Sequence, residues 1–215
     1  RSRAGTSCRN GKRRRGRGRG LMQVPVKTNR EYRAMSLLLP TEDKQRRLES
    51  DYYVEGFATT FDSPYTLWEY DGIKFMEQID RHALDSADMT DIIMQYDHAG
   101  KVFARNRMGG GRPATLIAEP QDGGFFIAAD LSLTEESRRL YGDIESGLIY
   151  QMSWAFTVAE DSYDKETRTR TILRVKKVYD VSAVSIPANP DTDISARSWV
   201  DGLIEAEKRE AQARL

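Results

Sequence analysis

From residue 51 to residue 187 the sequence is a succession of short strand-like segments, each ended by turn-forming residues. These segments are rich in β-branched and aromatic residues, which favour the half-buried surface of a sheet. Many short strands with few helices predict a mostly β protein of the α+β class, a barrel or sandwich with helices packed outside. The predicted strands are 52–60, 73–79, 91–96, 114–118, 125–131, 149–160, 169–177 and 178–186.

One helix is clearly marked in the middle of the chain. Thr134 is the expected N-cap, two glutamates follow in the first turn, and Gly147 is expected to end the helix. Apolar residues recur at every fourth position of this segment, at Leu140, Ile144 and Leu148. Two further helices are predicted, a short one at 80–88 and a charged terminal one at 199–215.

Composition narrows the class of protein. A chain of 215 residues with 39% hydrophobic and 31% charged residues suits one soluble domain and excludes collagen-like and disulfide-scaffold proteins. No apolar run is long enough to cross a bilayer, so no membrane association is expected. One cysteine, Cys8, and two histidines offer too few ligands for a structural zinc site. We therefore expect no metal and no cofactor.

Charge is distributed unevenly although it sums to zero. Residues 1–20 are rich in Arg and Gly and contain no acid, which predicts a disordered arm. Such an arm either binds the phosphate backbone of nucleic acid or is a solvated tail, and the sequence favours neither. We expect a linker or arm at 21–50 that packs onto the domain, a folded domain at 51–197, and a charged helical tail at 198–215.

Ser153 is a candidate nucleophile. Bulky apolar residues alternate with small or polar ones around it, so a strand would place its hydroxyl opposite a large apolar face. A serine nucleophile needs a rigid position and a neighbouring base. On this pattern alone, however, an ordinary strand serine is the commoner case.

The base and a third group have few candidates. Histidine is the usual base for a hydroxyl, and the chain has only His82 and His98. His98 follows an apolar strand, where side chains can face a cleft, whereas His82 has charged neighbours and is expected to have a surface or packing role. Asp180 interrupts an apolar strand, where an acid is costly unless it is paired, although an outward-facing position explains it equally well.

Together these segments resemble a known family, the HK97-type prohead (capsid maturation) serine proteases of tailed bacteriophages, which are related to the herpesvirus assemblins. The similarity covers residues 51–197 and depends on the order and spacing of several motifs rather than on any single one. The matching segments are Glu55-Gly56-Phe57-Ala58 with Phe61-Asp62-Ser63-Pro64-Tyr65, Gln95-Tyr96-Asp97-His98, Gly147 to Ser153-Trp154-Ala155-Phe156, and Asp180-Val181-Ser182 to Asn189-Pro190.

The resemblance implies a mostly antiparallel β-barrel with surrounding helices and a serine endopeptidase activity, a hydrolase of peptide bonds. Carried over by position, Ser153 is the nucleophile, His98 the general base and Asp180 the third member. Assemblins use a second histidine as third member, but both histidines here precede Ser153. The resemblance also makes Arg174 a candidate for support of the oxyanion.

The implied substrates are the scaffold and the arms of the major capsid protein, with self-cleavage, inside the procapsid assembling in the host cytoplasm. Assemblins work as dimers, although no isolated apolar helix here requires a homodimer. The alternative from another class is a catalytically silent capsid- or scaffold-associated protein that binds nucleic acid through residues 1–20.

Overall fold

The computed structural model describes residues 30–36, 46–185 and 190–213, and most of its regular structure is β. The two predicted arms fall mainly outside these ranges, residues 1–20 entirely so. The described elements are β1 (Glu31–Ser36), β2 (Tyr53–Thr59), β3 (Tyr65–Tyr70), β4 (Ile73–Ile79), β5 (Ile93–Tyr96), β6 (Ala99–Arg105), β7 (Leu116–Gln121), β8 (Gly124–Asp130), α1 (Glu135–Glu145), β9 (Gln151–Asp164), β10 (Thr169–Val184) and α2 (Pro190–Ala213).

The long antiparallel hairpin of β9 and β10 is the centre of the larger sheet. β1 pairs antiparallel with the outer side of β9, and β3 follows β4 at the opposite end. Because β10 is long, it pairs in parallel with β4 over residues 169–172 and with β5 over residues 180–183. This second pairing brings the β5–β6 hairpin next to the end of β10, although the two segments are far apart in the sequence.

A smaller sheet of β2, β8 and β7 is antiparallel throughout. The mostly β content and the two helices agree with the predicted class. The described strands pair as two separate sheets, so closure into the barrel that the resemblance implies stays a prediction.

Aromatic packing against β9 holds the sheets together. The rings of Trp154 and Phe156 are stacked with centroids 4.0 Å apart, and Phe125 of β8 packs on Trp154 at 5.5 Å. Large aromatic side chains dominate core energetics because each removes much apolar surface from water. The opposite face of β9, which carries Ser153 and Ala155, is buried as well.

Helix α1 begins as the sequence predicts. The Thr134 side chain accepts a hydrogen bond from the Ser137 N–H, and Gly147 takes a positive φ of 75° after the helix ends. Leu140 and Ile144 are buried against the core. Leu148 was expected on the same face but is 71% exposed, because the chain has already left the helix at that point.

Helix α2 begins earlier than the predicted terminal helix. Its Val200 and Leu203 pack with Phe75 of β4 and Tyr163 of β9, which attaches the end of the chain to the larger sheet. Among the described helices, none is long and apolar enough to span a membrane.

The helix predicted at 80–88 is wrong. This segment forms consecutive turns, in which the N–H groups of Ala83, Asp85 and Ala87 each donate to the carbonyl three residues before. Asp80 and Asp88 accept backbone hydrogen bonds with their side chains, which competes with helix formation.

The strands predicted at 169–177 and 178–186 form one strand, β10, which ends at Val184 and is interrupted by register shifts against β9. Residue 186 of the second prediction lies outside the described residues. β1, β3 and β6 were not predicted. β1 lies inside residues 21–50, which the sequence predicts to be a linker or arm.

Candidate active site

His98 occupies the tip of the β5–β6 hairpin. Asp97 and His98 form the two-residue connection, and both have positive φ values, 48° and 56°. Because β5 pairs with the end of β10, this tip lies beside the segment of β10 that begins at Asp180. The imidazole is therefore presented to a strand that lies 82 residues further along the chain.

Asp180 contacts the imidazole of His98 from β10. Its Oδ1 lies 2.5 Å from Nδ1 of His98, and the exposed fractions of the two side chains are 3% and 6%. The Ser182 hydroxyl donates to the same carboxylate oxygen at 2.7 Å. A buried carboxylate requires such partners, and its acceptor oxygen favours the tautomer with the proton on Nδ1.

Ser153 lies on β9 directly opposite Ser182, and Asp180 is opposite Ala155 two residues away. Directly paired residues, and residues two apart on a strand, share a face of the sheet. Ser153 and Asp180 therefore share the face of the sheet to which His98 is bonded.

Two polar side-chain atoms of this site are buried without a hydrogen-bond partner among the described residues. They are Oγ of Ser153 and Nε2 of His98. Buried polar atoms are usually paired, and functional sites are a common exception. The arrangement leaves a hydroxyl and an imidazole nitrogen unpaired among the described residues.

β1 covers the other side of the site. Its Ala34 pairs with Ser153, and the Tyr32 ring contacts the His98 ring edge-on with centroids 4.6 Å apart. Neither Tyr32 nor Ser182 was named as a site residue from the sequence. The alternation of Asp180 and Ser182 on one strand face was the available signal for Ser182, whereas nothing local marked Tyr32.

A buried ion cluster fixes β1 against the larger sheet. Arg33 Nε lies 2.5 Å from Oε1 of Glu77, and Arg170 joins Oε2 of Glu31 at 2.7 Å and Oδ2 of Asp161 at 2.6 Å. Burial alone would raise the pKa of Glu31, but the charges and hydrogen bonds of Arg170 and Arg33 outweigh it and lower that pKa to about 2. The strand beside Ser153 is thus held by charge as well as by backbone pairing.

Two other sequence candidates lie apart from this site. The Arg174 side chain is 51% exposed and reaches Glu160, which is seven residues from Ser153 along β9. A strand rises about 3.3 Å per residue, so Arg174 is not brought to the serine. The His82 side chain is 73% exposed and contacts Asp85, in keeping with a surface role.

The model of the caudovirus prohead serine protease family matches residues 40–203, most of the chain. The chain belongs to the caudovirus prohead serine protease family. It is a serine protease, a hydrolase that acts on peptide bonds, of the kind that matures phage procapsids. No curated protein and no solved structure gives a significant match.

Membership in the prohead serine proteases adds a chemical requirement to the geometry. The family's activity needs a serine with a base beside it. Of the two histidines in the chain, only His98 is buried against a carboxylate. β1 lies before the matched residues although its side chains contact the site.

Proposed function

We propose that Ser153, His98 and Asp180 are the catalytic triad of this prohead protease. The observation that carries the proposal is the bond between Nδ1 of His98 and Asp180, made on the face that also bears Ser153. With the proton on Nδ1, Nε2 keeps its lone pair and can accept the proton of the serine hydroxyl. Asp180 stabilises the imidazolium that then forms, and Ser182 holds the carboxylate in place.

The chemistry is acyl transfer through a covalent intermediate. Oγ of Ser153 attacks the scissile carbonyl carbon while its proton passes to Nε2 of His98. The C–N bond then breaks, and the imidazolium returns that proton to the leaving amine. A water molecule, deprotonated by the same imidazole, hydrolyses the acyl-enzyme and restores the serine. Backbone N–H groups are the default donors to the oxyanion.

The substrates in this proposal are the scaffold and the arms of the major capsid protein inside the procapsid, and the protease chain itself. Membership in the prohead protease family supports the capsid and scaffold substrates. Self-cleavage accords with an enzyme that is enclosed together with its substrates.

The test is cleavage of the capsid precursor by Ser153→Ala. We expect no cleavage, with a thermal midpoint close to that of the wild type, because the removed hydroxyl has no hydrogen-bond partner among the described residues. The matched control is Ser162→Ala, the same substitution on the same strand, which should cleave normally. Normal processing by Ser153→Ala would remove Ser153 from the mechanism.

Self-cleavage is tested separately by incubating the purified chain and determining new N-termini by mass spectrometry. New termini in the wild type but not in Ser153→Ala support it. Intact wild-type chains that still cleave the capsid precursor would contradict self-cleavage while leaving the protease assignment in place.

A further inference from the structure

The backbone of His98 has an uncommon conformation. Both residues of the β5–β6 connection have positive φ, the pattern of a type I′ turn, which favours Asn or Asp followed by Gly. Asp97 suits the first position, whereas His98 stands where glycine is usual, although Asp and His are both enriched at positive φ. We therefore expect contacts from the surroundings to help hold the turn.

The contacts that hold the turn converge on Asp97. Its Oδ1 accepts a hydrogen bond from the N–H of Ser185, and its Oδ2 accepts one from the Ser185 hydroxyl, each at 2.8 Å. The N–H of Asp97 donates to the carbonyl of Ala183 at 2.9 Å. Three bonds thus tie the residue before His98 to Ala183 of β10 and to Ser185, which directly follows this strand. β10 is the strand that carries Asp180.

We infer that Asp97 is a positioning residue that keeps His98 in reach of Asp180. The inference rests on the proposed role of His98. Asp97 acts through Ser185 and Ala183, since the hydrogen bond of the imidazole itself goes to Asp180. Because Asp180 lies on β10, and Asp97 is bonded to Ala183 of β10 and to Ser185 directly after it, β10 is a common support for the turn and for the acid.

The hydrogen-bond chemistry predicts which substitutions preserve the turn. In Asp97→Asn, the amide oxygen would still accept from the Ser185 N–H, and the amide nitrogen could donate to the Ser185 hydroxyl. Asparagine also tolerates positive φ better than most residues. Asp97→Ala would lose both side-chain bonds and add backbone strain at positive φ, whereas Asp97→Gly would lose the bonds without that strain.

The experiment measures kcat and KM for a peptide substrate in Asp97→Asn, Asp97→Ala and Asp97→Gly, each normalised to the folded fraction. For Asp97→Ala we expect kcat to fall about 10- to 100-fold with KM nearly unchanged, because a small displacement of a catalytic group has effects of this size. In Asp97→Gly, kcat should fall by a comparable factor, whereas in Asp97→Asn it should stay within about 3-fold of the wild-type value. Ser185→Ala removes one of the two side-chain hydrogen bonds, so its kcat should fall less than that of Asp97→Ala.

The matched control is Asp71→Ala. Asp71 lies in the β3–β4 connection with a similar positive φ of 50°, so the substitution imposes the same backbone strain elsewhere, and kcat should not change. Wild-type kcat in both Asp97→Ala and Asp97→Gly would overturn the positioning role, as would an equal loss in Asp97→Asn. These results are distinct from cleavage by Ser153→Ala, which would instead remove the proposed triad.

Discussion

Ser153 and Ser182 are direct partners across β9 and β10, but only the Ser182 hydroxyl has a hydrogen-bond partner among the described residues. Ser182 donates to Asp180, whereas Oγ of Ser153 is buried without such a partner, as the proposed proton transfer to His98 requires. In the proposed triad, the two hydroxyls on the same sheet face have different roles, because one supports the acid and the other attacks.

Removing the supporting hydroxyl should weaken catalysis without abolishing it. A hydrogen bond to a charged group contributes about 1.5–3 kcal/mol, so we expect Ser182→Ala to lower kcat by roughly 10- to 100-fold. Steady-state kinetics of Ser182→Ala and Ser153→Ala would show the difference. An inactive Ser182→Ala variant together with an active Ser153→Ala variant would make Ser182 the nucleophile and Ser153 the supporting residue.

The two histidines should respond very differently to substitution. His98→Gln removes the proposed base and should lower kcat by about 10²- to 10⁴-fold, the usual contribution of general base catalysis. His82→Gln alters an exposed side chain and should leave kcat unchanged. Comparable losses in both variants, or none in His98→Gln, would contradict the assignment of the base.

Asp180→Asn should retain the shape of the site but disturb the imidazole. The new amide can donate to Nδ1, which favours the tautomer with the proton on Nε2, where it cannot accept from Ser153. We expect a loss in kcat of roughly 10³- to 10⁴-fold, as in other triads. The control is Asp85→Asn, because Asp85 is an exposed acid beside His82. This substitution should leave kcat unchanged. Near-normal kcat in Asp180→Asn would exclude Asp180 as the orienting acid.

The sequence predicts the strands near the site better than it predicts the site's assembly. Alternation around Ser153 locates β9, and the acid in an apolar strand marks Asp180. The parallel pairing of β5 with β10 joins segments far apart in the chain, and no local pattern encodes it. β1 was missed because Glu31 and Arg33 make it look solvated, whereas ion pairs allow both to be buried.

The ion cluster predicts a pH dependence of stability. The pKa of Glu31 is lowered from 4.5 to about 2 in the folded protein, so its contribution to stability is complete above about pH 4.5 and is lost as the pH falls towards 2. Near pH 7, Glu31→Gln should lower the free energy of unfolding by about 3 kcal/mol, because it breaks a buried ion pair.

Urea titrations of the wild type and Glu31→Gln from pH 7 to pH 2.5 measure this difference, with Glu69→Gln at an exposed position as the control. The difference in free energy of unfolding between the wild type and Glu31→Gln should become smaller as the pH falls. A gap that is constant or widens towards low pH would contradict the lowered pKa of Glu31.

The proposed triad is tested most directly by reaction with a fluorophosphonate, followed by mass-spectrometric mapping of the modified peptide. The reagent forms a covalent adduct with an activated serine, and we expect one adduct, on Ser153, in the wild type. His98→Gln should react far more slowly. An adduct on a different serine, or an unmodified Ser153 in enzyme that the reagent has inactivated, would contradict the assignment of Ser153 as the nucleophile.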